Sequence, residues 1–431
     1  MLCARVTARK RDLAMHSFRK LTLLITSSVL LSFPLTGLSA PEASDRTGRA
    51  EIEQAWVEQA LESNASLGAK LAAAKAAAER ITGSGSWQDP NLNLMVAPET
   101  LGGDDDTGTR IELSQALPWP GLLDARRRMA EARADVSSSQ YQWFRNLLVA
   151  DVEAAYAEWW FINEAIRLHH ENQAYVEQLL ANASDGYAYG NVRQTDLLQL
   201  RRELTDLDMQ QYELVEQRRA LAARIANLLG ERPAAQEVAL ESDSLESFPD
   251  LETTVGVALT GHPLLSASEA RIQASRADVK IRQLEKYPKV KLIAGYNSLW
   301  VDRSKRAVVG IGLEVPFSGR RQQGALNAAE AELEAQRWEA LEQARDVEAE
   351  VIQAWENVSA LGSRLNVLES EGVPLAEKHW QASLEQVANQ QSDYEDAIES
   401  ARMLTRTHLQ QARLKADIHR AIADLESWIS F

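Results

Sequence analysis

The sequence contains few of the residues that interrupt regular structure or form disulfides. Its 431 residues include 21 glycines, 12 prolines and one cysteine, Cys3. A single cysteine excludes a disulfide framework. Because Cys3 precedes the apolar segment near the start, it is not placed for a lipoprotein anchor, and the chain after that segment contains no thiol. Long stretches rich in Ala, Leu, Glu, Gln and Arg are instead typical of long helices and coiled coils.

An excess of positive charge is also absent. The chain has 62 acidic and 46 basic residues and a formal net charge of −16. No long Lys/Arg block follows residue 20, so we do not expect nucleic acid as a partner. No later stretch reaches the ~18 uninterrupted apolar residues of a transmembrane helix. Any membrane contact of the chain beyond its first 40 residues must therefore use strands.

The residue groups that carry catalysis or hold metals are missing as well. The seven histidines show no ligand spacing such as His-x-x-x-His, and the six methionines are scattered. The pair Gly310 and Gly312 lies in a predicted strand without a phosphate loop. We therefore expect no enzyme activity, no catalytic residues, no metal site and no cofactor.

Residues 1–40 have the pattern of a signal peptide. Basic residues precede the apolar segment Leu21–Leu35, and small residues up to Ala40 offer a cleavage site. The alternative is a permanent membrane anchor, but the apolar run is shorter than the ~20 residues that a membrane span needs. Met1 and Met15 are alternative starts. The pattern predicts export of the mature chain.

The rest of the chain is built twice. Three positions recur 198 residues later (288 − 90, 316 − 118 and 319 − 121): Pro90, Pro118 and Gly121 as Pro288, Pro316 and Gly319. A repeat of this length indicates a duplicated, domain-sized unit. We predict a first repeat at 41–230, a linker at 231–250 and a second repeat at 251–431.

Each repeat contains two short segments in which polar and apolar residues alternate. The period of two predicts strands at about 90–97, 109–117, 288–297 and 306–316. Four apolar residues of the last strand are predicted to face lipid: Val309, Ile311, Leu313 and Val315. With their flanking residues, the strands reach the ~9–11 residues of a transmembrane β-strand. The alternative is two half-buried hairpins packed on helices. Four strands that span a membrane would leave open edges, so several copies must close one barrel.

A short junction follows each predicted hairpin and starts a long helix. The junction residues are Pro118, Trp119, Pro120 and Gly121 in the first copy, and Pro316, Phe317 and Gly319 in the second. Proline does not donate to a strand ladder and suits the first turn of a helix. The aromatic residue of each junction suits the interfacial belt of a membrane protein.

Long helices occupy most of the remaining sequence. One is predicted from about Gly48 to Ile81, and another from Leu122 to about Asp185, where no glycine or proline occurs. Apolar residues at heptad spacing predict coiled coils. The helices turn back at two tips, at about 185–196 and 385–393.

This arrangement resembles the outer membrane factor family, the TolC-like outer membrane efflux proteins. The resemblance covers roughly Arg49 to Ser427. The segments that carry it are Glu112–Gly121, Tyr189–Gly190 with Thr195–Leu198, and Leu313–Gly319. The Leu-Pro-Trp-Pro-Gly sequence at Leu117–Gly121 looks most like the CzcC-like branch, which serves heavy-metal exporters.

The resemblance implies a mainly α fold with a small β part. Three chains would form a homotrimer in which four strands from each close a 12-stranded transmembrane β-barrel. The barrel would lie in the outer membrane lipid, and the helices would continue it into the periplasm as an antiparallel coiled-coil barrel. The implied function is a passive, gated duct of a tripartite efflux system.

The implied partners are a periplasmic adaptor (membrane fusion) protein and an inner-membrane pump of the resistance-nodulation-division type. Two other functions stay open at this point. The same architecture serves type I protein secretion, where an ATP-driven transporter replaces the pump. A periplasmic coiled-coil scaffold or adaptor is the alternative outside transport.

The family's gate includes acidic residues three apart at the second tip, a pattern that Asp393 and Asp396 match. Three copies of each would form two carboxylate rings, which favour cations and resist anions. A companion aspartate on the first tip matches Asp196. Asp393 is equally interpreted as the cap of the helix that follows it.

The family pattern is not matched throughout the tips. Its best-fitting member also locks the gate with an Arg and a Tyr on the second tip, whereas this sequence has Asn389-Gln390-Gln391 there. Arg193 or Tyr189 on the first tip are the residues that would replace that lock.

Overall fold

A computed structural model describes residues 43–97, 108–230, 240, 249–300, 302–315, 319–389 and 393–429, with only the backbone for 43–51 and 97. The predicted signal peptide, most of the predicted linker, and Pro316 and Phe317 lie outside the described residues. The chain divides into two compact units after Ala43. All of the described residues except Ala43 belong to the second unit, Ser44–Phe431.

Helices make up most of the described chain. The first copy contains α1 (Ala43–Ser63), α2 (Ala65–Ser84), α3 (Leu122–Ala188) and α4 (Gln194–Leu229). The second contains α5 (Leu251–Gly261), α6 (Pro263–Leu284), α7 (Gly319–Val367), α8 (Val373–Ala388) and α9 (Tyr394–Ile429). At ~1.5 Å per residue, α3 alone is roughly 100 Å long.

Four strands form one antiparallel sheet in the order β1-β2-β3-β4. They are β1 (Asn91–Ala97), β2 (Gly108–Leu117), β3 (Lys289–Asn297) and β4 (Ala307–Glu314). The middle pairing joins the two copies, with Leu113 opposite Ala294 and Leu117 opposite Val290. The outer edges of β1 and β4 have no partner strand among the described residues. The predicted fold class, mainly α with a small β part and an internal duplication, is confirmed.

The prediction of a single helix over Gly48–Ile81 is wrong, because the chain leaves helical geometry at Asn64, between α1 and α2. Asn64 has φ −68° and ψ 115°. Its side-chain oxygen accepts the N–H groups of Ser66 at 3.0 Å and Leu67 at 3.1 Å. Asparagine is a strong N-cap because its short side chain reaches these otherwise unsatisfied donors.

His262 occupies the equivalent position in the second copy (262 − 64 = 198). It precedes α6, and its Nδ1 accepts the N–H of Leu264 at 3.1 Å. The ring is fully buried, with its centroid 4.7 Å from that of Trp143 and 5.3 Å from that of Trp428. Burial lowers the pKa of His262 to about 4. The cap depends on a neutral imidazole, since a protonated Nδ1 is a donor.

The second long helix contains one wide turn that the first lacks. Between α7 and α8, residues Leu368–Gly372 form a π turn. Pro374 lies in the first turn of α8. In a regular helix its ring would clash with the carbonyl group four residues earlier, and it has no N–H to donate. The extra residue of a π turn relieves that conflict.

Helix α3 is the central element of the packing. It packs on α6 and α9 and also on α2 and α4, whereas α7 packs on α6 and α9, and α8 packs on α9. This order leaves α2 and α4 at one margin and α7 and α8 at the other. Of the helices in the described part of the chain, none is both long and apolar enough to cross a membrane.

Acidification should test the cap formed by His262. The pKa of about 4 in the folded chain lies below the ~6.5 of a free histidine. The unfolded chain therefore binds more protons, and stability should fall as the pH decreases from about 6.5 to about 4. His262→Asn copies the cap of the first repeat without a titrating ring. We expect its thermal midpoint to decrease less than that of the wild type between neutral and acidic pH.

The matched control for this measurement is His379→Asn, which removes an exposed histidine from α8. The control should keep the wild-type dependence of the midpoint on pH. If His262→Asn loses stability on acidification as steeply as the wild type, the cap is not the titrating group.

Candidate functional site

Two helical tips close the hairpins formed by α3 with α4 and by α8 with α9. The first tip is 187–196, and the second consists of 385–389 and 393–396 among the described residues. Gly190 has φ +81°, a conformation that side chains rarely adopt. Its N–H donates to the carbonyl of Tyr187 at 3.0 Å, and the N–H of Asn191 donates to that of Gly186 at 2.9 Å. These bonds satisfy the carbonyl groups at the end of α3 and turn the chain towards α4.

Arg193 joins the two tips. Its Nη2 lies 2.8 Å from Oδ1 of Asp393 and 3.2 Å from Oδ1 of Asp196. Its Nε also donates to Oδ2 of Asp196 at 3.3 Å. Hydrogen bonds to Asp196 and then to Asp393 raise the pKa of Arg193, so the guanidinium stays charged. One cation therefore bridges a carboxylate of its own hairpin and a carboxylate of the other.

Asp196 is the buried member of this group. It is 5% exposed, lies in the first turn of α4, and accepts a hydrogen bond from the Thr195 hydroxyl at 3.2 Å. A negative charge is favoured at the start of a helix. Burial and then the negative charge of Asp196 raise the pKa of Tyr394, the first residue of α9. Asp196 thus influences groups on both tips.

An apolar core lies next to the tips and holds the two hairpins together. It takes residues from α3, α4, α8 and α9: Val176, Leu179, Ala183, Leu197, Leu200, Leu207, Ala376, Trp380, Ala397, Ile398, Ala401 and Leu404. The rings of Tyr175 and Trp380 lie 5.3 Å apart across the hairpins. Fully burying a large apolar side chain contributes about 1.5–3 kcal/mol. The core therefore supplies most of the stability of this region, and Arg193 adds a charged contact between the tips.

Two further ion pairs between the hairpins were not predicted from the sequence. Nε of Arg402 donates to Oε1 of Glu203 at 2.8 Å, and its Nη2 contacts Oε2. Nη1 of Arg413 lies 3.0 and 2.9 Å from the two carboxylate oxygens of Glu158. One signal was present, since Glu203 falls in the buried stripe 196, 200, 203 and 207 of α4. An acidic residue at a core position indicates a cationic partner.

The predicted tip residues are only partly brought together. Arg193, Asp196 and Asp393 form the ion pairs described above. Tyr189 ends α3 and is 83% exposed. Asp396 lies exposed in the first turn of α9, three residues after Asp393. Arg193 thus contacts the second tip through Asp393.

The first strand-to-helix junction is held in place by contacts of Trp119 with the two residues that precede β3. The indole Nε1 of Trp119 donates to the carbonyl of Pro288 at 2.6 Å, and its ring centroid lies 5.0 Å from that of Tyr287. Gly121, between Pro118–Pro120 and α3, has φ +86°. In the second copy, Gly319 is the first residue of α7, and the predicted junction residues Pro316 and Phe317 lie outside the described residues.

One face of the sheet is apolar and exposed. Residues paired across antiparallel strands share a face, and five pairs on it are apolar: Leu92 with Leu113, Leu94 with Ile111, Val290 with Leu313, Leu292 with Ile311, and Ala294 with Val309. Val309, Ile311 and Leu313 are 84%, 67% and 63% exposed, and Val315 just after β4 is 44% exposed. A continuous apolar surface of this kind requires an apolar environment or a partner.

The polar interactions that characterise the tips are ion pairs between arginine and carboxylate side chains. Among them, no group of three or more His, Cys, Asp or Glu side chains is placed to hold a metal ion. The molecule combines a charged contact between two tips with an apolar sheet, and α3 connects the two along its 67 residues.

The sequence pattern of the outer membrane efflux proteins matches this chain twice, over residues 56–231 and 254–429. Each match covers most of one repeat. No curated protein sequence matches the chain.

Several solved structures of membrane channels share the fold. The structure of CusC is 16% identical, with a TM-score of 0.76, and the match covers 88% of this chain and 92% of that chain. The outer membrane protein VceC of Vibrio cholerae is 19% identical, with a TM-score of 0.74 and coverage of 89% and 97%. The outer membrane channel CmeC of Campylobacter jejuni is 14% identical, with a TM-score of 0.74 and coverage of 95% and 94%.

Proposed function

We propose an export channel, because this chain belongs to the outer membrane efflux protein family. In this proposal it is the outer membrane component of a tripartite efflux system. It is a passive, gated duct that receives substrates from an inner-membrane pump of the resistance-nodulation-division type, through a periplasmic adaptor protein. The observation that carries the proposal is the exposed apolar face of the sheet, joined through long helices to charged tips.

The open margins of the fold support a homotrimer. In the part of the chain that the structure describes, the outer edges of β1 and β4 have no partner strand, so they offer backbone groups to another copy. The helical margins also expose large apolar side chains, including Met209 and Tyr212 on α4 and Trp338 and Leu341 on α7. Pairing β1 of one copy with β4 of the next would cover both kinds of margin. Three copies would close twelve strands into one transmembrane barrel.

The apolar face of the sheet supports a position in outer membrane lipid. On the opposite face, the paired residues are mostly polar or small, such as Asn93 with Glu112 and Lys291 with Gly312. An apolar outside with a polar inside is the pattern of transmembrane barrels. A periplasmic scaffold would leave the apolar face in water, so this observation argues against that alternative.

The contact between the tips is proposed as the gate of the channel. Arg193 holds the second tip through Asp393 and its own hairpin through Asp196. In a trimer, Asp393 and Asp396 would each be present three times around the axis and would form two carboxylate rings. Such rings attract cations and repel anions.

Heavy-metal cations are the proposed substrates of the duct. The proposal is supported by the junction sequence Leu117–Gly121 and by the acidic second tip. Cells that lose this chain should become more sensitive to heavy-metal salts. Unchanged tolerance of those salts would exclude heavy-metal cations as substrates but would not contradict the proposed channel.

Removing the bridge between the tips should open the channel. In Arg193→Gln, Asp393 loses its guanidinium partner, so we expect a higher resting conductance of single channels in planar bilayers. The control is Arg202→Gln, an exposed arginine within α4, whose ion pair at 3.9 Å is with Asp206 of the same helix. An unchanged conductance, or an equal rise in the control, would exclude Arg193 from the gate.

Neutralising the acidic rings should change the ion preference of the channel. In Asp393→Asn with Asp396→Asn, each ring loses its negative charge. We expect the cation-to-anion permeability ratio, measured from reversal potentials, to fall. The control is Glu395→Gln, an exposed carboxylate between the two. If the double variant keeps the wild-type ratio, these residues do not line the narrow part of the duct.

A charge on the apolar face of the sheet should prevent membrane assembly. Leu313→Arg should cost about 2–4 kcal/mol if the side chain faces the middle of the bilayer. We expect few trimers in the outer membrane fraction. Ser114→Arg places the same charge on the opposite face, beside Asn91 and Ile293, and should still assemble. Normal trimers of Leu313→Arg would show that lipid does not cover this face.

A further inference from the structure

Two cavities adjoin where the sheet meets the helices. The junction cavity has a volume of about 320 Å³, and most of its walls are apolar, including Leu117, Trp119, Leu123 and Val290. Its polar side is lined by Gln88, Lys291 and the ion pair of Lys289 with Glu314 at 3.2 Å. The arginine cavity has a volume of about 480 Å³, lies between α2, α3 and α6, and contains Arg80, Arg126, Arg133 and Arg282. Arg126 and Glu285 line both cavities. The two spaces therefore form one site with a mainly apolar part beside the strands and a basic part beside the helices.

The arginine cavity carries more positive charge than its own carboxylates neutralise. Four arginines and two carboxylates, Asp278 and Glu285, line it, which leaves two positive charges (4 − 2). Both carboxylates pair with Arg282, at 3.3 and 3.1 Å, and Asp278 is the main cause that raises the pKa of Arg282. Arg126 lies 4.0 Å from Glu285. Within the described residues, no ion pair involves Arg80 or Arg133.

We propose that the two cavities together bind one anionic phospholipid. Its phosphate would lie against Arg80, Arg126 and Arg133, because guanidinium groups donate paired hydrogen bonds to phosphate oxygens. Its acyl chain would extend through the junction cavity towards the strands. This inference rests on the proposed function, in which membrane hydrocarbon surrounds the sheet.

The order of the two cavities fits a lipid better than a small anion. The junction cavity lies at the ends of β2 and β3, where the barrel would leave the hydrocarbon. The arginine cavity begins about one helical turn into α3. Trp119 is held by its bond to Pro288, so the apolar wall is already formed. An inorganic phosphate ion would bind to the arginines and leave the junction cavity unfilled.

Lipid binding is tested on purified full-length trimers. Native mass spectrometry measures the binding of added phosphatidylglycerol to the wild type, to Arg80→Gln with Arg133→Gln, and to the control Arg201→Gln with Arg219→Gln. The control removes two exposed arginines of α4, away from both cavities. We expect a loss of affinity of roughly tenfold or more in the first double variant, as the loss of charge-assisted hydrogen bonds predicts, and little change in the control. Equal affinities in the two double variants would overturn the proposal.

A second variant separates a lipid from free phosphate. Leu123→Trp fills part of the junction cavity, so it should weaken phosphatidylglycerol binding but leave calorimetric binding of inorganic phosphate unchanged. Phosphate binding that depends on Arg80 and Arg133, without phosphatidylglycerol binding, would overturn the lipid assignment in favour of the free ion. If the arginine variant still forms conducting trimers in the outer membrane, the proposed channel stands whatever the lipid result.

Discussion

The backbone hydrogen bonds of the sheet constrain the rest of the molecule. Among the described residues, the outer edges of β1 and β4 leave N–H and C=O groups without strand partners, and the apolar face beside them is exposed. In an apolar environment such groups must be paired, so the sheet favours association with further copies of itself. A long helix follows each hairpin along the chain, α3 from Leu122 and α7 from Gly319. Closing the sheet would therefore also determine where the helical margins meet.

The duplication supplies two similar halves, but the second contains features that the first lacks. Both copies divide their first helix at the same position, with Asn64 as the cap in one and His262 in the other. The first long helix, α3, runs without interruption, whereas α7 and α8 are joined by the π turn Leu368–Gly372. A π turn is a local departure from regular helical hydrogen bonding. The second hairpin is thus interrupted once along its length, whereas the long helix α3 of the first hairpin is continuous.

The sequence predicted the regular elements well and the contacts between them poorly. Alternation predicted the strands, and the junction with Pro118 and Gly121 predicted the start of α3, because these signals are local. The division at Asn64 was missed, since a polar residue within a helical pattern does not by itself indicate an end. The pairing of Arg193 with Asp393 joins residues 200 positions apart (393 − 193), and only the packing of the two hairpins brings them together.

The ion pairs between the hairpins differ in burial, and the difference favours separation at the tips. The side chains of Arg193 and Asp393 are 63% and 67% exposed, so water solvates both partners and their pairing contributes little to stability. The side chain of Glu203 is only 5% exposed, so separating it from Arg402 would leave a buried carboxylate without its cation. In the proposed channel, a docking protein that competes for Arg193 or Asp393 would therefore have a weak contact to replace at the tips. The buried pair and the apolar core would still hold the hairpins together.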